Sequence, residues 1–169
     1  HIPLLPVTGT PTPGDYCSPF SHERESAAPG YYQVFLDRYG VDAQLSSTLR
    51  CAFHKYTYPA GAAPAVLADL QRSNEHVRAW DIRKEGDNVF AGWQQTGEKM
   101  YFYAVANRPV TGIEPVVEGD REVRIVRFGE GDGALELRIG FSFVSEKNAR
   151  ENLEAEMLGK SFAEVRSEA

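Results

Sequence analysis

The stretch GALELRIGFSFVS, residues 133–145, carries the clearest secondary-structure signal in this 169-residue chain. Its large apolar residues recur at every second position: Leu135, Leu137, Ile139, Phe141 and Phe143. Polar or small residues occupy the positions between them. Because successive side chains of a strand point to opposite faces, this alternation predicts an antiparallel strand with one dry face.

Seven segments that precede this stretch also carry strand signals and are separated by turn-forming residues. They are residues 30–40, 41–59, 65–71, 76–84, 88–95, 98–110 and 121–130. Residues 1–20 are rich in Pro, Thr and Gly and are predicted to be extended chain and loop. About eight short strands with no intervening helix predict a mainly β, antiparallel fold, either a β-sandwich or a barrel.

The apolar period lengthens after Ser145, which indicates helices. Ser145 is a plausible N-cap of a first helix and Gly159 a plausible end, while Ser161 and Glu164 are spaced as the capping box of a second helix. The apolar positions of the two helices are Ala149, Leu153, Met157, Phe162 and Val165. An all-β block that leads into helices is typical of a domain junction.

Composition and charge exclude two classes of partner. The net charge is −6 and the sequence pI is about 5.3. An acidic surface is repelled by nucleic acid and by anionic membranes, so we expect neither as a partner. No apolar stretch is long enough to span a bilayer.

The first candidate site lies in SHERESAAPGYYQVFL, residues 21–36. Here His22 stands beside Glu23 and Glu25, a combination that could perform acid–base chemistry, bind a cation or hold a loop in place. Spacing alone does not choose between these roles, although the loop-holding or solvated interpretation is the commoner one.

The second candidate site lies in the segment 41–59, where the alternation predicts two faces. Leu45, Leu49 and Phe53 would share one face with Cys51, and Arg50 and His54 would share the other. Arg50 and His54 could then form a polar patch at an interface, or His54 could be an ordinary hydrogen-bonded histidine. We expect a buried free thiol at Cys51 rather than a disulfide with Cys17.

Two tryptophans, Trp80 and Trp93, are the remaining candidates. They flank a predicted turn at residues 85–88. Their rings could stack on a sugar, although a packed hairpin pair is more common.

The order of segments resembles family 92 of the glycoside hydrolases, the exo-acting α-mannosidases. The resemblance rests on IPLLPVTG (2–9), SHERESAAPGYYQV (21–34), STLRCAFHKYTYP (47–59) and GFSFVSEKNARENLEAEMLGKSFAEVRSEA (140–169). It implies an N-terminal, supersandwich-like β-sandwich domain over residues 1–144, incomplete at its start. Residues 145–169 would be a helical linker toward an (α/α)6 catalytic barrel. Helices docked on such a barrel would leave an uncovered apolar face when it is missing.

The resemblance also implies a function for the parent protein. It would be a calcium-dependent, inverting exo-α-mannosidase, with α-1,2 linkages as the expected substrate, that trims mannose-containing glycans outside the cell or in the periplasm. The catalytic residues and calcium ligands are expected from the barrel, so no catalytic residue, metal ligand or cofactor is assigned to this chain.

Five residues are kept as candidates that face substrate or an interface: His22, Glu23, Glu25, Arg50 and His54. The alternative functions are a free-standing carbohydrate-binding sandwich that uses Trp80 or Trp93, and a purely structural domain.

Overall fold

Our computed structural model describes residues 2–169 of the chain. These residues contain twelve β-strands, one 3-10 helix and two α-helices, joined by loops and turns. The strands are β1 (Leu4–Val7), β2 (Glu25–Ala28), β3 (Tyr31–Leu36), β4 (Val41–Ser47), β5 (Cys51–Thr57), β6 (Ala65–Ala68), β7 (Ala79–Gly86), β8 (Val89–Gln95), β9 (Lys99–Ala106), β10 (Val110–Glu118), β11 (Arg121–Phe128) and β12 (Leu135–Ser142). The 3-10 helix (His22–Arg24) precedes β2, and α1 (Glu146–Met157) and α2 (Phe162–Glu168) follow β12.

The strands form two sheets in which every pairing is antiparallel. The smaller sheet has the order β1-β6-β11-β10, and the larger has the order β2-β3-β4-β5-β12-β9-β8-β7. Buried side chains from both sheets form one continuous apolar core between them. The mainly β, antiparallel β-sandwich predicted from the sequence is therefore confirmed.

The alternating stretch 133–145 supplies a central strand of the larger sheet. β12 lies between β5 and β9, and Leu135, Leu137 and Ile139 are fully buried in the core. Phe141 is partly buried, but Phe143 lies beyond the end of the strand and is 64% exposed. The dry face is thus shorter than the sequence pattern predicts, because the chain leaves the sheet after Ser142.

Both helices begin and pack as their sequence signals predict. The Ser145 side chain accepts a hydrogen bond from the backbone N–H of Asn148, and Ser161 and Glu164 form a capping box. The apolar sides of α1 and α2 lie on the outer face of the larger sheet, where they form a second core with Tyr31, Cys51 and Phe53. The helices therefore form a third layer of the same body, and their apolar sides are already covered.

The segment 41–59 differs from the prediction of one continuous alternating strand. It is a hairpin of β4 and β5, and Leu49 lies in the turn between them with 91% of its surface exposed. The turn residues Thr48, Leu49 and Arg50 include no Gly, Pro or Asn, so the usual turn signals are missing. Leu49 and Phe53 therefore do not share a buried face.

Three strands were not predicted: β1, β2 and β10. All three lie at an edge of a sheet. Their sequences contain Pro or short polar runs, which an edge strand tolerates because it forms a hydrogen-bond ladder on one side only.

Candidate functional site

His22 and Glu25 meet at the edge of the larger sheet. Ser21 caps the 3-10 helix that begins at His22. Glu25 follows three residues after His22, at the start of β2. The His22 Nδ1 atom lies 2.5 Å from Glu25 Oε2, and the Tyr32 hydroxyl donates a hydrogen bond of 2.6 Å to Glu25 Oε1. Both oxygens of the Glu25 carboxylate are therefore engaged by neighbours.

The electrostatics of this group favour a structural role. Hydrogen bonds from Tyr32 and then from His22 lower the pKa of Glu25, and the bond to Glu25 raises the pKa of Tyr32 to about 12. A carboxyl group with a lowered pKa is ionised at neutral pH and is poorly suited to act as a general acid. The geometry supports the interpretation that these residues hold a loop.

Glu23 has no comparable set of contacts in the structure. Its side chain is exposed, and its backbone N–H donates a hydrogen bond to the Ser21 hydroxyl. The neighbouring Arg24 forms an ion pair with Asp37 and lies 4.1 Å from the centre of the Phe35 ring. These contacts attach the 3-10 helix to the neighbouring β3 and the turn after it.

Arg50 and His54 do not form the predicted common patch. Arg50 lies in the β4–β5 turn, and its Nε donates a hydrogen bond of 2.6 Å to Glu156 of α1. The Arg50 backbone N–H and the Thr48 hydroxyl bond the same carboxylate. This carboxylate thus ties the hairpin turn to the helix layer, on the opposite side of the sheet from the face that carries His54.

His54 faces the core between the sheets. Its Nδ1 atom lies 2.7 Å from the hydroxyl of the buried Tyr56, and its cross-strand neighbours are Leu45 and Leu137. Burial lowers the pKa of His54 to about 4, so the ring is neutral at physiological pH. His54 is the hydrogen-bonded histidine that the simpler interpretation anticipated.

We expect the neutral His54 to make the fold acid-sensitive between pH 7 and pH 5. Its folded pKa of about 4 lies below the unfolded value of about 6.5, so acid protonates the unfolded chain first and stability is lost as the pH falls. The expected loss over this interval is about 2 kcal/mol. Urea unfolding at both pH values measures it.

His54→Gln should flatten this pH dependence, and His76→Gln serves as the matched control because His76 is exposed in a loop. An unchanged pH slope in His54→Gln would show that His54 is not the titrating group.

The two tryptophans lie on opposite faces of the larger sheet and do not form the predicted pair. Trp80 pairs with Gln94 across the β7–β8 hairpin and packs against the core, with the Arg124 guanidinium 5.2 Å from its ring centre. Trp93 pairs with Asp81, and the Lys99 ammonium lies 3.7 Å from its ring centre. A cation therefore lies over a face of each indole where a sugar would stack.

Both cysteines are free thiols. Cys51 is buried and free, as predicted, and burial raises the pKa of its thiol to about 12, whereas Cys17 is exposed and free. Within residues 2–169, no group of three or more His, Cys, Asp or Glu side chains could hold a metal ion.

One buried acid, Asp69, was not predicted from the sequence. Asp69 is 1% exposed and accepts hydrogen bonds from the Tyr16 hydroxyl at 2.7 Å and from Arg121 at 2.9 Å. It lies beside a cavity of about 580 Å³ and joins the loop before β2 to the smaller sheet. The sequence signal for this buried acid is the single Asp inside the mostly apolar run AVLADLQ (65–71).

The fold defines a class: an antiparallel β-sandwich domain with a helical layer on the outer face of its larger sheet. The sequence also matches the family described as the glycosyl hydrolase family 92 N-terminal domain over residues 1–151. The chain therefore belongs to glycosyl hydrolase family 92.

Solved structures with the same fold are GH92 enzymes. The family GH92 alpha-mannosidase BT3965 from Bacteroides thetaiotaomicron superimposes with a TM-score of 0.87 at 23% identity, over 99% of this chain and 27% of that chain. The family GH92 inverting mannosidase BT2199 from the same organism gives a TM-score of 0.81 at 21% identity, over 98% and 25%.

A third structure, the GH92 family glycosyl hydrolase ccman5, gives a TM-score of 0.83 at 24% identity, over 99% of this chain and 27% of that chain. This chain thus spans about a quarter of the length of these enzymes. No curated protein matches the sequence. No helix within residues 2–169 has the length and apolar character needed to cross a membrane.

Proposed function

We propose that this chain is the non-catalytic N-terminal portion of an exo-α-mannosidase that removes terminal mannose from glycans. The observation that carries the proposal is the family match over residues 1–151 together with the three GH92 enzymes of the same fold. Residues 1–144 would be the sandwich domain and residues 145–169 the connection to a catalytic barrel elsewhere in the parent protein.

The state of two half-buried carboxylates, the candidate Glu25 and the Arg50 partner Glu156, supports a non-catalytic role. An inverting glycosidase needs two carboxyl groups roughly 6.5–9.5 Å apart, one as acid and one as base, on either side of the scissile bond. In this chain Glu25 is engaged by His22 and Tyr32, and Glu156 is engaged by Arg50 and Thr48. Both carboxylates have lowered pKa values and structural partners, so neither is poised to protonate a leaving oxygen.

The finer features of the parent enzyme are part of the same proposal. It would invert the anomeric configuration, require calcium held by residues outside this chain, prefer α-1,2-linked mannose and act in the periplasm or outside the cell. His22, Glu23, Glu25, Arg50 and His54 would act as supporting residues at most, since four of them have exposed or structural surroundings and His54 is directed into the core.

A longer protein that contains this chain within its N-terminal domain provides the test. It should release mannose from α-mannobiosides, most rapidly from the α-1,2-linked one, and lose activity in a chelator with recovery on addition of calcium. NMR of the first product should show β-mannose, as inversion requires. No mannose release from any linkage in the presence of calcium would contradict the proposal.

A further inference from the structure

The loop between β11 and β12 contains the single Asp–Gly sequence of the chain, Asp132–Gly133. It reads GEGDGA over residues 129–134, and residues 130–133 are exposed. In an Asp–Gly sequence the next peptide nitrogen can approach the Asp side chain closely, because glycine carries no Cβ atom that obstructs it. The sequence therefore brings a carboxyl carbon and a nitrogen nucleophile within reach of each other.

Both of these groups are unengaged in the described part of the chain. Within residues 2–169, the Asp132 carboxylate forms no hydrogen bond or ion pair, and the Gly133 N–H donates no hydrogen bond. A Cβ atom placed on Gly133 would meet nothing within 4 Å, so the space around this residue is open. The two groups can therefore meet without breaking a hydrogen bond of the described domain.

The loop is anchored after this peptide bond. The Arg108 guanidinium donates a hydrogen bond to the Gly133 carbonyl, and the Asn107 side-chain amide donates one of 3.0 Å to the Ala134 carbonyl. Gly133 has a φ of +71°, which glycine adopts without strain. The anchors thus hold carbonyl oxygens that follow the Asp–Gly peptide group and leave its nitrogen free.

The other seven Asp residues lack this combination of features. Five have side chains held by Arg, Tyr or Gln, namely Asp15, Asp37, Asp42, Asp69 and Asp81. The remaining two, Asp87 and Asp120, precede Asn88 and Arg121, whose Cβ atoms obstruct the approach of the peptide nitrogen. Among the Asp residues of the described chain, Asp132 alone combines a free carboxylate with a glycine neighbour.

We propose that Asp132 is a site of spontaneous isoaspartate formation. The Gly133 nitrogen attacks the carboxyl carbon Cγ of Asp132. The N–Cγ bond forms, the Cγ–OH bond breaks, and the hydroxyl leaves with the peptide proton as water. Water then adds to the resulting succinimide. Cleavage of the bond between the nitrogen and the Asp132 main-chain carbon yields isoaspartate, whereas cleavage of the N–Cγ bond restores Asp.

The modified loop presents a new chemical group. Isoaspartate adds a methylene group to the backbone and leaves a free α-carboxylate beside it. Phe128 and Leu135 are buried at the ends of β11 and β12, so the loop between them absorbs the extra length. An exposed isoaspartyl α-carboxylate is the group that isoaspartyl carboxyl methyltransferases methylate, so the partner that fits this site is an enzyme of that class.

Incubation at neutral pH in water enriched in the heavy oxygen isotope tests the proposal. Hydrolysis of the succinimide places one heavy oxygen in the residue, and mass spectrometry of peptides measures it in the folded chain and in guanidinium chloride. Ala43→Gly is the matched control, because it gives Asp42 a glycine neighbour within β4. The Asp42 carboxylate accepts hydrogen bonds of 2.7 Å from Gln33 and 2.9 Å from Gln44.

Asp132 should take up heavy oxygen in the folded chain at no less than about one third of its rate in guanidinium chloride, because the loop leaves both groups free. Asp42 in Ala43→Gly should be slowed at least about tenfold by folding, because the strand must open first. An isoaspartyl methyltransferase should methylate the Asp132 peptide, and Asp132→Glu should abolish both signals.

The Asp132 result in the unsubstituted chain decides the proposal whether or not Ala43→Gly folds. Slowing of Asp132 by about tenfold or more on folding would overturn the proposal, because it would show that the loop keeps the two groups apart. Absence of heavy oxygen at Asp132 in both states, or of methylation after uptake, would overturn it as well.

Discussion

Gly140→Ala should destabilise the domain by at least about 3 kcal/mol, because it separates α1 from the sheet. A Cβ atom on Gly140 would lie 2.1 Å from the Ala149 carbonyl oxygen and 2.9 Å from Leu153 Cβ. Real Cβ atoms do not approach backbone oxygen so closely, so the helix must shift. The second core, formed by the helices and the outer face of the sheet, would lose its packing.

Thermal and urea unfolding measure this effect, and Gly112→Ala is the matched control. Gly112 also lies in a strand, and a Cβ atom placed there would meet nothing within 4 Å. The control should stay within about 0.5 kcal/mol of the parent chain, whereas Gly140→Ala should lower the melting temperature by roughly 6–12 °C. Equal stability of the two variants would show that α1 is not seated on β12 as described.

Gly140 is sensitive because α1 packs directly against the strand that carries it. Seen from the sequence alone, residues 145–169 are predicted to be a linker whose apolar side waits for a partner. In the structure, Asn152 donates a hydrogen bond to the Phe141 carbonyl and Arg138 donates one to the Lys160 carbonyl. Removal of α1 would therefore expose Phe53 and Cys51, and we expect the sandwich to need its helices.

Local sequence signals predicted the parts of the fold in which local and tertiary preferences agree. The alternation of Leu135, Leu137 and Ile139 matches burial in the core, and the caps at Ser145 and Ser161 match the observed helix starts. The family resemblance is confirmed by the match over residues 1–151. In these segments the residue pattern that favours the strand or helix also places the apolar side chains in the core.

The features of the fold that the sequence did not predict depend on contacts between residues far apart in the chain. Leu49 continues the alternation of its segment, but the chain reverses there, and the turn is fastened by Glu156 from a helix more than one hundred residues later. No local signal reports that partner. The edge strands β1, β2 and β10 likewise exist because a neighbouring strand offers a hydrogen-bond ladder.

The candidate site could be predicted only in part for the same reason. The proximity of His22 and Glu25 follows from their spacing, but the engagement of Glu25 by Tyr32 requires the β2–β3 pairing. The separation of Arg50 from His54 depends on where β5 begins, and the covering of Trp93 by Lys99 depends on the pairing of β8 with β9. Residue types indicated the chemistry available, and topology decided which groups meet.

The second large effect is on catalysis, and we expect almost none from residues 1–169 alone. An enzyme lowers the barrier of glycoside hydrolysis by placing acid and base groups on both sides of the bond. The carboxylates Glu25 and Glu156 are instead held by hydrogen bonds within the domain.

The decisive measurement is therefore the rate of mannose release by the folded 169-residue chain, with α-1,2-mannobiose and calcium, beside the longer protein at equal concentration. We expect a rate below about one thousandth of that of the longer protein, at the level of a buffer blank. Mannose release by the chain alone at a rate comparable to that of the longer protein would contradict it.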